Sequence, residues 1–156
     1  MRKAFTMVEI ILVIVIIGIL SAIAIPKLAA NRDDAGSSIC AHEIGQLIHE
    51  IGNSYIDGGY IKFKDFTIAD ISSIKTNVGL TQNGISETAI TKVDNAGVTY
   101  YCEGDAVVKL VGNLSGKDYI LTVEDQDPSQ VIALKAAKKI RAIHGMDAGA
   151  TRLYKL

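Results

Sequence analysis

Residues Ile10 to Ile25 read IILVIVIIGILSAIAI, sixteen consecutive positions without a charge. Extended back to Phe5, the segment holds 21 residues, and Glu9 is its one charged side chain. A helix of that length rises about 30 Å, enough to cross one hydrocarbon core. Whatever else the chain forms, it has to accommodate a rod that is apolar on every side. The apolar content of 49 % is concentrated here, because from Lys27 onward charged, polar and apolar residues mix in ordinary proportion. A chain of 156 residues leaves room for about one domain beyond such a segment. The net charge of −1 gives no overall pull toward nucleic acid or anionic lipid.

Met1, Arg2 and Lys3 precede the apolar run, and positive charge keeps that end of a membrane helix cytoplasmic. The bulk of the chain is then expected on the far side. A plain transmembrane anchor is one reading. A cleaved secretory signal is another, since Ala22-Ile23-Ala24 has the small-residue form of a cleavage site. Glu9 counts against both. A carboxylate in a spanning helix costs up to about 2.5–3.5 kcal/mol near the centre and marks a functional position.

A third reading uses all of these residues. The stretch Lys3-Ala4-Phe5-Thr6-Met7-Val8-Glu9, followed by the long apolar run, resembles the type III signal of type IV pilins and type II secretion pseudopilins. The resemblance implies a leader of residues 1–4 and cleavage between Ala4 and Phe5 by a prepilin peptidase. Ala4 stands where the family usually has glycine. It further implies N-methylation of Phe5, an assembly role for Glu9 with Phe5, and helix-softening roles for Gly18 and Pro26. The implied setting is the bacterial inner membrane, crossed once, with the globular part periplasmic. The implied partners are further copies of the chain, other pilin-like subunits and an inner-membrane assembly platform. No cofactor and no enzymatic activity are implied.

The chemistry of the motif agrees with that inheritance. Residues four apart share a helix face, so Glu9 and a freed Phe5 amine fall within one turn. A lone carboxylate or ammonium is costly in apolar surroundings and a paired one much less so, which lets a neighbour's amine drive docking on Glu9. Gly18 weakens the helix by about 1 kcal/mol relative to alanine. Pro26 removes a backbone donor and is expected to kink or open the helix.

The expected fold class is α+β and pilin-like: a long N-terminal helix on a small antiparallel sheet, with a C-terminal helix. Residues 5–26 form the membrane half of the long helix and 27–55 its amphipathic half. Cys40, Ile44, Leu47, Ile51 and Tyr55 recur at spacings of three and four, with Ile48 alongside. Gly52-Asn53 is the expected stop. The repeat HEIG, at His42–Gly45 and His49–Gly52, invites a metalloprotease comparison. Zinc needs histidines at i and i+4, where Gln46 and Asn53 stand instead. His42 and His49 are two turns, about 10 Å, apart, so a heptad-spaced solvent face is the preferred reading.

Residues 56–156 make up the globular domain. Its part 56–97 carries the weakest pattern, with turn signals at Gly58-Gly59 and Asn83-Gly84. Val98–Glu103, Ala106–Val111 and Tyr119–Glu124 then read as an antiparallel meander over 98–124, broken at Glu103-Gly104-Asp105 and Asn113–Lys117. Val98, Tyr100 and Cys102 share the face assigned to the helix. Asp127-Pro128-Ser129 starts a final helix over 129–144, with Ile132, Ala136, Ile140 and Ile143 as its apolar stripe. Glu124, Asp125 and Asp127 are weak calcium candidates, and a solvated loop with a helix cap explains them as well. No other metal site is expected.

Two cysteines in an exported domain suggest a disulfide. Cys40 on the apolar helix face and Cys102 on the inner strand face point into one interface, so a bridge between them is expected. Residues 130–156 hold Lys135, Lys138, Lys139, Arg141, Arg152 and Lys155 against Asp147. Such a run could contact phosphates, but a solvated helix face is the preferred reading and a nucleic-acid partner is not expected. No phosphate loop, nucleophile elbow, metal set or paired carboxylates suggest an enzyme. Cys102 is followed by no further cysteine, so the disulfide-closed C-terminal loop of adhesive major pilins is missing. That tilts the reading toward a type II secretion pseudopilin or a minor pilin. A type IV pilin for adhesion, motility or DNA uptake is the alternative. A plain membrane-anchored or secreted domain is the alternative of another class.

Overall fold

The computed structural model describes residues 5–76, 82–86, 97–116 and 118–155. The leader 1–4 with Ala4, much of the weakly patterned stretch 56–97, and Lys117 lie outside the described residues in whole or part. Helix α1 spans Met7–Phe63 and is followed by the single turn α2, Ile68–Ile71. Strand β1 is Gly84–Ile85, β2 Gly97–Cys102, β3 Asp105–Ser115 and β4 Asp118–Asp125. Helix α3 is Val131–His144 and β5 is Thr151–Lys155. Among the described residues the strands form one antiparallel sheet in the order β1-β2-β3-β4-β5. The chain is therefore α+β: a long N-terminal helix on an antiparallel sheet, with a helix near the C-terminus.

Alternation sorts the sheet into two faces. Val98, Tyr100 and Cys102 of β2, Leu110 of β3, and Tyr119, Leu121 and Val123 of β4 are buried with Cys40, Ile44, Leu47 and Ile51 of α1. Tyr100 pairs with Val108 but Tyr101 with Ala106, so β3 carries an extra residue there and both Val107 and Val108 are buried. At the far end of α1, Phe63 lies 4.6 Å from Tyr119 and 5.3 Å from Tyr55, ring centre to ring centre. Tyr119 lies across Gly112, where an added Cβ would come within 1.7 Å of its hydroxyl. Only glycine leaves the sheet open to that ring.

Several boundaries differ from the sequence expectation. The helix does not stop at Gly52-Asn53. Gly52 is buried, and helical structure runs on to Phe63, broken only at Gly59 with φ of 61°. Packing of Ile51, Tyr55 and Phe63 outweighs glycine's weak preference for ending a helix. Pro26 lies inside α1, and helical dihedrals run through it. Strand β3 runs through Asn113 to Ser115, because Asn113 pairs with Ile120 and Ser115 with Asp118. Pro128 is buried ahead of α3 rather than in its first turn, and Gln130 is the N-cap. The α3 stripe is Ala133, Ala136, Ala137 and Ile140, whereas Ile143 is 69 % exposed.

Candidate assembly surface

The first half of α1 projects from the domain as a stalk. From Met7 to Asp33 it rises about 40 Å. Its large apolar side chains are exposed throughout, from Phe5 at 80 % to Leu28 at 67 %. The most apolar 18-residue window of the helix has a mean hydropathy of 3.1 and no buried residue, so by length and composition it can cross a membrane. Among the described residues no side chain of the domain covers it.

At the stalk's tip Glu9 is held by Thr6. The Thr6 backbone N–H donates to Glu9 Oε2 at 2.7 Å and the Thr6 hydroxyl donates to the same oxygen at 2.8 Å. The Glu9 N–H in turn donates to Thr6 Oγ1 at 3.3 Å. This is a capping box, closing the first turn of α1 and giving the carboxylate partners inside its own chain. Its sequence signal is threonine followed three residues later by glutamate, Thr6 and Glu9. Phe5 is one turn away. Gly18 and Pro26 both lie on the stalk, and an added Cβ at Gly18 would meet nothing within 4 Å.

Where the stalk enters the domain, α3 grips it. Lys135 Nζ donates to Asp34 Oδ1 at 2.8 Å, and its ammonium holds the Asp34 carboxyl below the usual carboxylate range. Lys139 Nζ donates to Ser37 Oγ, Ser38 Oγ and the Asp34 carbonyl, at 2.8, 2.7 and 3.1 Å. Above this collar the bridge between Cys40 and Cys102, 62 residues apart, ties α1 to β2, and both cysteines are fully buried. Glu43 accepts from the Tyr100 hydroxyl one turn on, and burial with that neighbouring carboxylate pushes the phenol upward. Glu50 is raised by partial burial but lowered more by donors from Gln46, Ser72 and Ser73, so its carboxyl lies below the usual range.

Of the acidic cluster weighed for calcium, Asp125 and Asp127 are engaged by Arg141. Asp125 Oδ2 accepts from Arg141 at 2.6 and 3.1 Å and from the Gly149 N–H at 2.7 Å, while Asp127 meets the same guanidinium at 2.9 Å. Asp125 foremost, then Asp127, push the Arg141 guanidinium up against the lowering effect of its burial. No group of three metal-ligating side chains occurs among the described residues. The basic run is likewise drawn into the fold, through Lys135 and Lys139 at the collar, Arg141 at the acidic pair, and Lys155 on Asp118 at 2.9 Å.

The type IV major alpha-pilin of Moraxella bovis is 32 % identical over 133 residues, covering 81 % of this chain and 79 % of the relative. The chain belongs to the type IV pilin family. No protein-family model matches this pilin, and no solved structure does. The apolar half of α1 fits a membrane-anchored pilin.

Proposed function

We propose that this pilin is a subunit of a type IV pilus-like filament, processed before Phe5 and docked through Glu9. The observation that carries the reading is the stalk: a helix wholly apolar over sixteen residues, unburied by its own domain, with one carboxylate a turn from Phe5. In the membrane the chain is a monomer with its apolar surface in lipid and Glu9 satisfied by Thr6. On leaving the bilayer that surface needs other stalks, and a neighbour's Phe5 ammonium supplies the charge that Glu9 lacks in an apolar bundle. A prepilin peptidase would remove residues 1–4 and methylate Phe5, an inner-membrane platform would extract the subunit, and the domain would face the periplasm.

Kinship with a major pilin favours a pilus subunit. A type II secretion pseudopilin is the second reading, favoured by a C-terminal region secured without a second disulfide: Arg141 holds Asp125, and β5 pairs with β4. Intact-mass analysis of the protein from its native membrane tests the processing. A mature N-terminus at Phe5 carrying one methyl group is expected. A terminus at Met1 or near Leu28 would return the chain to a plain anchor or an ordinary signal peptide. Surface filaments recovered by shearing, against a secretion defect without filaments, separate pilus from pseudopilus.

A further inference from the structure

We propose that the hollow between α1 and the β1 edge of the sheet is a binding site for a small neutral saccharide. It is open to solvent and has a volume of about 510 Å³, within the range of small-ligand pockets. Helix α1 lends it Glu43 and Gln46, and the segment after α2 lends Ser73, Ile74 and Lys75. Asn83, just before β1, and Glu103, in the β2–β3 turn, complete the wall.

Hydrogen bonds between the walls fix the hollow before any ligand enters. Gln46 Nε2 donates to Ser73 Oγ at 2.8 Å, tying α1 to the segment after α2. The same nitrogen donates to Glu50 Oε1 at 2.8 Å, which holds the amide from behind. The Ile85 N–H donates to the Lys75 carbonyl at 2.8 Å and hangs that segment on β1. Asn83 Oδ1 accepts from the Glu103 N–H at 2.8 Å, closing the ring onto the β2–β3 turn. Walls joined in this way have little freedom left to lose on binding.

The same bonds decide what each side chain offers. With Gln46 Nε2 engaged, Oε1 is the acceptor it presents, and with Asn83 Oδ1 engaged, Nδ2 is the donor. Glu43 takes the Tyr100 hydroxyl on Oε2 and leaves Oε1 for a ligand. Glu103 stands at φ 50°, in a tight turn where asparagine or glycine is the ordinary occupant, so its carboxylate is placed here against the preference of the backbone. Lys75 adds an exposed ammonium.

Pockets for apolar molecules are lined mostly by apolar and aromatic side chains. In this lining Ile74 is the one apolar side chain among the described residues, so the occupant hydrogen-bonds over most of its surface. An anion would face Glu43 and Glu103, and a compact dication would face Lys75. A polyol carries no charge to be repelled, and each hydroxyl both donates and accepts. Neighbouring hydroxyls of a sugar ring donate to carboxylates in charge-assisted bonds and accept from an amide or an ammonium. The hollow has room for a mono- or disaccharide.

Saturation-transfer NMR on the full chain, solubilised in a detergent without a sugar headgroup, tests the site. The probes are glucose, galactose, mannose, N-acetylglucosamine and lactose, with putrescine and inorganic phosphate as charged comparisons. Saturable transfer to at least one sugar is expected, and Gln46→Ala and Lys75→Ala should each weaken it at least tenfold. A diazirine derivative of the bound sugar should label peptides containing Glu43–Gln46 or Ser73–Lys75. No saturable transfer to any sugar, or transfer to putrescine or phosphate alone, would overturn the proposal. Sugar binding unchanged in both variants, or label confined to other peptides, would overturn it as well. Should Gln46→Ala fail to accumulate as disulfide-bonded protein, Lys75→Ala and the labelled peptides decide.

Discussion

His144 and Tyr154 meet ring nitrogen to hydroxyl, joining the end of α3 to β5, and His144 Nε2 is buried without a partner among the described residues. Burial, and then the charge of Arg152, hold the imidazole below its ordinary value of 6.5. The unfolded chain therefore takes up this proton first as pH falls. The stabilisation is complete above the ordinary value and is lost as pH drops toward the folded value. Melting temperature should fall between about pH 7.5 and about pH 5, and His144→Gln should flatten that slope. A slope unchanged by the substitution would show that the imidazole is not its source. Gly112→Ala should cost roughly 1–3 kcal/mol in denaturant unfolding, because Tyr119 must leave its ring partners to make room. Residues differed in how legible they were. Cys40 and Cys102 could be paired from their faces alone, since each sits in a clear period. Gly112 gave no signal, because its need arises from a side chain seven residues away across a turn.

Among elements, those defined by a strong local period were readable and those defined by a tertiary neighbour were not. The stalk and the inner face of β2 repeat cleanly over many residues. The true end of α1 depends on Phe63 reaching Tyr119, so Gly52-Asn53 misled, while the turn signal at Gly58-Gly59 falls on the break at Gly59. Strand β1 is two residues long and exists by pairing with β2. Strand β5 is an edge whose side chains are mostly exposed, and within a basic run its Thr-Arg-Leu-Tyr-Lys alternation passed as a tail. The start of α3 was misplaced for a related reason. The segment leading into it is held from β3, where Asp105 Oδ2 accepts from the N–H groups of Ser129 and Gln130 at 2.7 and 2.9 Å. Removing that acceptor by Asp105→Ala should cost about 1 kcal/mol and loosen amide protection in the first turn of α3. Removing the staple that fixes α1 to β2, with Cys40→Ser and Cys102→Ser together, should cost about 2–4 kcal/mol. Both are read by denaturant unfolding of the detergent-solubilised protein, and wild-type midpoints would contradict them.

The whole molecule is a stapled domain gripping one end of a helix whose other end is exposed and uncovered among the described residues. The fold class was legible because the stalk and the inner sheet faces each repeat a clear local period. The motif around Phe5 and Glu9 is read without tertiary context, while the collar and the sheet order depend on contacts between distant residues. The central claim is that Glu9 serves the neighbour and not the anchor. Glu9→Ala should insert into the membrane as well as wild type, since an apolar side chain suits lipid better than a carboxylate. Its loss of the Thr6 cap should fray one turn and leave the disulfide-bonded domain intact. Glu9→Gln retains shape and hydrogen bonding without charge and so isolates the electrostatic part. The direct measurement is incorporation of tagged Glu9→Ala and Glu9→Gln subunits into sheared filaments, beside their membrane content by fractionation. The account predicts membrane levels equal to wild type and at least tenfold lower incorporation for both variants. Wild-type incorporation of Glu9→Ala would contradict it.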